Sequence, residues 1–178
     1  QQLEDSMELL RNGQTPKLHS LCLHSGTVYM WNRACFGISR NEKPHFRIEN
    51  RFMPAGPTTV DEVANAAFWL GLMAGMPEEH RNISEQMDFE SARFNFYNAA
   101  RVGIECNFEW MGKSYHARDL LLEKFIPWAY EGLTKMKVDP QDINHYMSVI
   151  QHRIDSKMNG SRWMLDNFNQ LLHQSTPK

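Results

Sequence analysis

The sequence has 178 residues, 42% hydrophobic and 11% aromatic, with 19 Lys and Arg against 21 Asp and Glu for a formal net charge of -2. A chain of that size suits one domain burying roughly two thirds of its unfolded surface, and the composition excludes a disordered or collagen-like protein. The near-zero charge gives no drive toward nucleic acid or a membrane surface, so neither is expected as a partner.

The three cysteines, Cys22, Cys35 and Cys106, form no CxxC pair and leave one over, so no disulfide framework is expected. No run of about 18 apolar residues occurs, which argues against a membrane-spanning helix. Gln1–Asp5 has neither the basic region nor the apolar stretch of a signal peptide. Together these features predict the cytoplasm. The first residue is not Met, which predicts a processed or excised product.

Leu3, Met7 and Leu10 share one side of a helix ending at residue 10, and Asn12-Gly13 and Thr15-Pro16 break it. From Leu18 to Met53 the pattern changes to period two. This predicts strands over 20–32 and 45–52, joined by a loop at 37–44. Along the second strand Phe46, Ile48 and Phe52 face one way, while His45, Arg47, Glu49 and Arg51 face the other.

The remainder reads as mostly helical. Thr59 with Glu62 predicts a capping box. Val60, Val63, Ala67, Leu70 and Ala74 then form an apolar stripe that Gly75-Met76-Pro77 stops. Asp88 caps a helix running to Gly103, with Phe89, Ala92, Phe96 and Ala99 or Ala100 turned inward. An extended excursion over 104–115 turns at Met111-Gly112-Lys113. Pro127 bends or interrupts a helix over 117–135. Asp139-Pro140 starts the next helix, and Asn159-Gly160-Ser161 separates the last one. The fold class is therefore α+β, a short antiparallel sheet portion followed by a helical half. Residues 1–17 form a helix end and linker, and 18–178 form the main domain.

The polar face of the second strand is the most informative surface. Arg47, Glu49 and Arg51 lie roughly 7 Å apart along it. A carboxylate between guanidiniums stays ionised and can hold a divalent metal, and Arg suits bidentate contact with phosphate or carboxylate. Phosphoryl chemistry needs such parts, although an ordinary solvated face with cross-strand charge pairs has the same pattern. The preceding segment adds His24 and Arg33 as candidate contacts, with Gly26 leaving room for close approach. Cys22, His24, Cys35 and His45 lack the spacing of a closed zinc site. On the 88–103 helix Arg93, Tyr97 and Arg101 form a cationic edge, and the eleven methionines are scattered as gap-fillers.

Several segments recur in a recognisable order. They are Trp31-Asn32-Arg33, Arg47-Ile48-Glu49-Asn50-Arg51, Pro54-Ala55-Gly56-Pro57-Thr58 with the Asp61 helix, Asn95 to Gly103, and Asn159-Gly160-Ser161-Arg162-Trp163. In that order they resemble the C-terminal half of the glutamate–cysteine ligase / carboxylate–amine ligase family, from about residue 20 onward. The resemblance implies a glutamine-synthetase-like fold whose antiparallel sheet cradles ATP and divalent cations, Mg2+ or Mn2+. It implies that a substrate carboxylate attacks the γ-phosphoryl group and that an amine displaces phosphate from the acyl phosphate. By position Glu49 matches the metal-binding, catalytic Glu, and Arg51 matches the Arg that approaches the transferred phosphoryl group. Arg33, Arg47, His24 and Thr27 are then the residues that bind substrate or phosphate.

The sequence departs from the family pattern at Asn32, where Asp is commoner, and at Asn50, where an apolar residue is usual. The family's N-terminal half carries clustered acidic metal ligands, and Gln1–Leu18 has no such cluster. The resemblance therefore implies the C-terminal part of a ligase, competent with an N-terminal half of the same protein and acting on a small-molecule carboxylate and amine. The competing reading is a non-catalytic ligand-binding or assembly domain that keeps the scaffold. A homo-oligomer is compatible with both.

Overall fold

The structure, a computed structural model, describes residues 5–27, 31–53 and 55–175. It is mixed α and β, with two small antiparallel sheets among the described residues. By internal contacts the chain divides into two units, Gln1–Pro54 and Ala55–Lys178. Leu3, the expected strand residues at 28–30, and Pro54 lie outside the described residues. No described helix is long and apolar enough to cross a membrane.

The first unit opens with α1 (Ser6–Arg11), whose first backbone N–H groups are satisfied by the Asp5 carboxylate at 3.0–3.1 Å. Where a strand over 20–32 was expected, the chain instead forms the helix α2 (His19–Thr27). Leu21 and Leu23, which alternate in this segment, are both exposed. Strands β1 (Asn32–Ile38) and β2 (Pro44–Asn50) form an antiparallel hairpin in which Arg33 pairs with Glu49, Cys35 with Arg47, and Gly37 with His45. The alternation expected for the second strand is present, but its apolar side does not become a core. Phe46 is 72% exposed and Ile48 68%. Phe36 meets Phe46 edge-on at 5.5 Å across the strands.

In the second unit α3 (Thr59–Gly75) begins one residue earlier than expected. Thr58 is the cap: its hydroxyl accepts from the Asp61 N–H at 3.3 Å and donates to the Asp61 carboxylate at 2.7 Å. After a 3-10 turn (Glu78–His80) and the short α4 (Ile83–Gln86) comes α5 (Phe89–Val102), capped by Asp88 as expected. Gly103 ends it at φ +65°, a left-handed conformation in which a Cβ is disfavoured. The expected extended excursion starts with a 3-10 turn (Gly103–Glu105) and continues as strands β3 (Asn107–Trp110) and β4 (Lys113–His116), which pair as a hairpin turning at Met111 and Gly112 with φ of +51° and +72°. Positive φ at both turn residues matches the twist of the strands.

The expected helix over 117–135 is three pieces: α6 (Ala117–Leu120), a π-helical turn (Leu121–Phe125) and α7 (Ile126–Lys135). Pro127 explains the interruption. It has no N–H to offer the carbonyl four residues back, and its ring crowds that carbonyl, so the preceding turn widens by one residue. Two further helices follow, α8 (Pro140–Ser156), capped by Asp139, and α9 (Gly160–Ser175).

The core lies among α3, α7 and α8. Ile143, Met147, Ile150 and Ile154 form a helical stripe that meets Ile126, Ala129 and Leu133 of α7 and Ala64 and Leu72 of α3. Of the expected α3 stripe only Ala67 packs against the core: Val60, Val63, Leu70 and Ala74 are exposed, while Ala64, Gly71, Leu72 and Gly75 are buried. The small residues form the inner face because α3 and α7 touch through their backbones. A Cβ on Gly75 would collide with the Trp128 carbonyl oxygen, and one on Gly132 with the Gly71 carbonyl oxygen. At the other end of α3 the Arg153 guanidinium of α8 holds Asp61 at 2.5 Å and Asn65 at 2.6 Å.

The inner face of α5 also differs from expectation, since Phe89 and Phe96 are exposed and the one buried polar residue is Asn95. Its side-chain amide donates to the Glu109 carbonyl at 2.7 Å and accepts from the Glu109 N–H at 2.8 Å. One helical turn on, Asn98 donates to the Asn107 carbonyl at 3.0 Å. Two asparagines thus satisfy the open edge of β3 as a neighbouring strand would.

Two tests follow from this packing. Gly75→Ala and Gly132→Ala should each destabilise the protein by about 3 kcal/mol or more in urea unfolding, because helix backbone cannot yield to a new methyl group. Gly160→Ala, with nothing within 4 Å of the new Cβ, should change stability by less than about 0.5 kcal/mol. Asn95→Ala should cost about 2–3 kcal/mol by leaving a backbone donor and acceptor unpaired, with amide exchange at Glu109 accelerated.

Candidate functional site

The hairpin of the first unit carries the candidate site. Its register puts Arg33 and Cys35 of β1 on the same face as His45, Arg47 and Glu49 of β2. The ladder continues one step further, with the Arg51 N–H donating to the Trp31 carbonyl at 2.8 Å, which brings Arg51 onto that face. Gly37 leaves space on it, since a Cβ there would meet the Arg47 guanidinium at 2.5 Å and the His45 ring at 2.8 Å.

Glu49 is the electrostatic centre. Its Oε2 accepts from Arg33 Nε and lies 3.8 Å from Arg51 Nε. The Cys35 thiol is 3.9 Å from the same oxygen. Arg33 also donates from Nη1 to the Ser25 carbonyl at 2.8 Å, tying the last turns of α2 to the hairpin. The Arg33 hydrogen bond, helped by the charges of Arg33, Arg51 and Arg47, holds the Glu49 carboxyl below the usual carboxylate range. Reciprocally, that bond pushes the Arg33 guanidinium further up. Arg47 approaches His45 Nε2 at 3.2 Å.

The structure therefore brings together Arg33, Arg47, Glu49 and Arg51. His24 and Thr27 are on the helix α2, not on a strand. The Thr27 hydroxyl is spent within that helix, donating to the His24 carbonyl at 2.9 Å. The His24 side chain is exposed, and no hydrogen bond or ion pair ties it to the face among the described residues. Two participants had no strong sequence signal. One is the Ser25 carbonyl, a backbone group. The other is Cys35, legible only once the hairpin register is known.

The donor set suits an anion better than a metal. Glu49 supplies a single carboxylate, one of whose oxygens is already taken by guanidinium, and the charged neighbours on this face are arginines. Among the described residues no three His, Cys, Asp or Glu side chains meet as a cluster that could hold an ion. A Mg2+ or Mn2+ centre wants about six oxygen ligands, so these residues do not fit one by themselves. A phosphoryl or carboxylate group fits well, because preset guanidiniums give charge-assisted hydrogen bonds to it. Asn50, at the end of β2, buries an Nδ2 that has no partner among the described residues.

Because the Glu49 pKa is depressed below its ordinary 4.5, the stabilisation of the hairpin by this pair is present above about pH 4.5. It is lost as pH falls through the folded-state value. Carboxyl-carbon NMR should show Glu49 titrating below 4.5 in the native chain, and Arg33→Gln should move it back toward 4.5. An unshifted Glu49 in the native chain would contradict the ion pair. In comparisons with known proteins, no family model, no curated protein and no solved structure matches this chain.

Proposed function

We propose that the chain is part of an ATP-dependent carboxylate–amine ligase of the glutamate–cysteine ligase kind. The observation that carries this is the Arg33–Glu49–Arg51 cluster, with Arg47 beside it, on the polar face of the hairpin that bears the Glu-x-Arg motif. The ordered motifs after it support the same reading. In this chemistry a carboxylate oxygen attacks the γ-phosphorus of ATP and ADP departs. The amine then attacks the acyl carbon, and phosphate leaves as the amide forms. What this chain contributes is charge: Arg51 and Arg47 face the transferred phosphoryl group and neutralise charge as it moves to the bridging oxygen. Glu49 and the Ser25 carbonyl hold Arg33 in place for the substrate carboxylate. The oxygen ligands for a divalent cation are assigned to an N-terminal half of the same protein, since the described residues here do not supply them.

A second reading, a non-catalytic ligand-binding or assembly domain on the same scaffold, is favoured by the engagement of Glu49 with two guanidiniums. Two experiments separate them. Titration calorimetry of the chain with ATP, with and without Mg2+, reads binding: affinity lost in Arg51→Ala supports the anion site. Phosphate release from ATP with glutamate plus an amine, measured on protein containing both halves, reads catalysis. There Glu49→Gln should lower turnover by about 100-fold or more, a typical cost of disturbing preset transition-state electrostatics. Unchanged turnover in folded Glu49→Gln protein would remove Glu49 from the mechanism. Binding of ATP without any turnover in the two-half protein would favour the second reading.

A further inference from the structure

The helical unit holds a cleft of about 280 Å³ separate from the hairpin residues. Its floor is apolar, built from Phe68 of α3, Ile104, Leu121, and Ile150 and Ile154 of α8. The rim is polar, with Asn65, Arg153, Lys157 and Asn159. An apolar floor with a few converging polar groups is the usual form of a small-molecule site.

Three departures from regular backbone meet at this cleft. Leu121 opens the π-helical turn, Lys157 has a left-handed φ of +54°, and Ile104 follows Gly103 at φ +65°. Such conformations cost free energy and recur at binding sites, where the surrounding structure holds them. The rim's charges are of one sign. Arg153 and Lys157 line the cleft, while the acids that pair with them, Asp61 and Glu105, do not. The Arg153 guanidinium is fixed beforehand, with Nη1 at 2.6 Å from Asn65 and Nη2 at 2.5 Å from Asp61. The Lys157 ammonium sits 2.9 Å from Glu105.

We infer that this cleft binds a small monocarboxylate, with its apolar body on Ile104, Leu121 and Phe68 and its carboxylate at Lys157 and Arg153. Arg153 is balanced by Asp61, but Glu105 is shared between Lys157 at 2.9 Å and Arg162 at 3.8 Å, so one positive charge is left over beside the rim, which suits a monoanion rather than a doubly charged phosphate. The volume bounds the ligand. At about 30 Å³ for each water-sized group, 280 Å³ holds roughly nine of them, a carboxylate and a chain of about seven carbons. This site is independent of the ligase reading and of the hairpin chemistry.

The test is calorimetric or ligand-observed NMR titration of the whole chain with straight-chain carboxylates from butanoate to dodecanoate, the matching alcohols, and hexyl phosphate. Affinity should rise about fourfold per methylene and level off near octanoate, when the cleft is full. Hexanoate should bind at least fivefold more tightly than hexanol and more tightly than hexyl phosphate. Lys157→Gly keeps the left-handed backbone favourable and leaves Glu105 its second cation, Arg162, at 3.8 Å, so it should fold. It should lose the preference for hexanoate while binding hexanol as before. Ile104→Phe, which fills the floor, should abolish binding of both in protein with an unchanged circular dichroism spectrum. Equal affinity for hexanol and hexanoate in the native chain would overturn the inference. So would affinity that keeps rising through dodecanoate, tighter binding of hexyl phosphate, or no saturable binding of any carboxylate.

Discussion

The helical unit depends on one close approach, the backbone contact between α3 and α7 at Gly71, Gly75, Ala129 and Gly132. Side chains elsewhere keep packed helices about 8–10 Å apart. Here the glycines remove that spacer, so carbonyl oxygens and Cα hydrogens meet directly and dispersion acts over the full length of the crossing. That contact fixes the rotation of α3, and the rotation decides the rest. It turns Ala64 and Leu72 onto α8, leaves Val60, Val63 and Leu70 facing out, and places Asp61 and Asn65 within reach of Arg153. The π-helical turn before α7 belongs to the same constraint, because it lets the chain accommodate Pro127 while Ala129 and Gly132 stay against α3.

The hairpin unit is held together differently. A two-stranded sheet is marginal by itself, and here its apolar side is open, with Phe46 and Ile48 exposed. Its order comes from the polar side. Arg33 links three segments at once: its own strand, Glu49 on the partner strand and the Ser25 carbonyl of α2. The group that organises the hairpin is thus the group best suited to receive an anion, and a ligand carboxylate or phosphate would compete with Glu49 for the same donors.

Much of the local structure was legible in the residues. The caps at Asp88 and Asp139, the turn at Met111-Gly112, the break at Gly103 and the alternation of Arg47, Glu49 and Arg51 all stand where the pattern puts them. Other expectations failed for identifiable reasons. The segment at 19–27 alternates in only two leucines, too little to distinguish a strand from a helix. The α3 stripe was drawn by helical spacing through Val60, Val63, Ala67, Leu70 and Ala74, but a Gly-x-x-x-Gly spacing at Gly71 and Gly75 was the better sign of the inner face. On α5 the aromatic residues outweighed Asn95 in any hydrophobic count, yet an amide that can serve both a donor and an acceptor was worth more at a strand edge.

The sequence by itself determined the features that depend on residues within a turn or two of each other, because caps, tight turns and strand alternation are short-range matters of sterics and hydrogen bonding. It also marked Glu49 and its neighbouring arginines as a face. Only the tertiary structure decided which partners those groups have. Arg33 lies 16 residues from Glu49 along the chain, and Arg153 lies 92 from Asp61. No periodicity reaches that far. Pairings at such separations follow from which helix faces and strand registers pack, and here three glycines and a proline set the packing of the helical unit while the hairpin register set the charges.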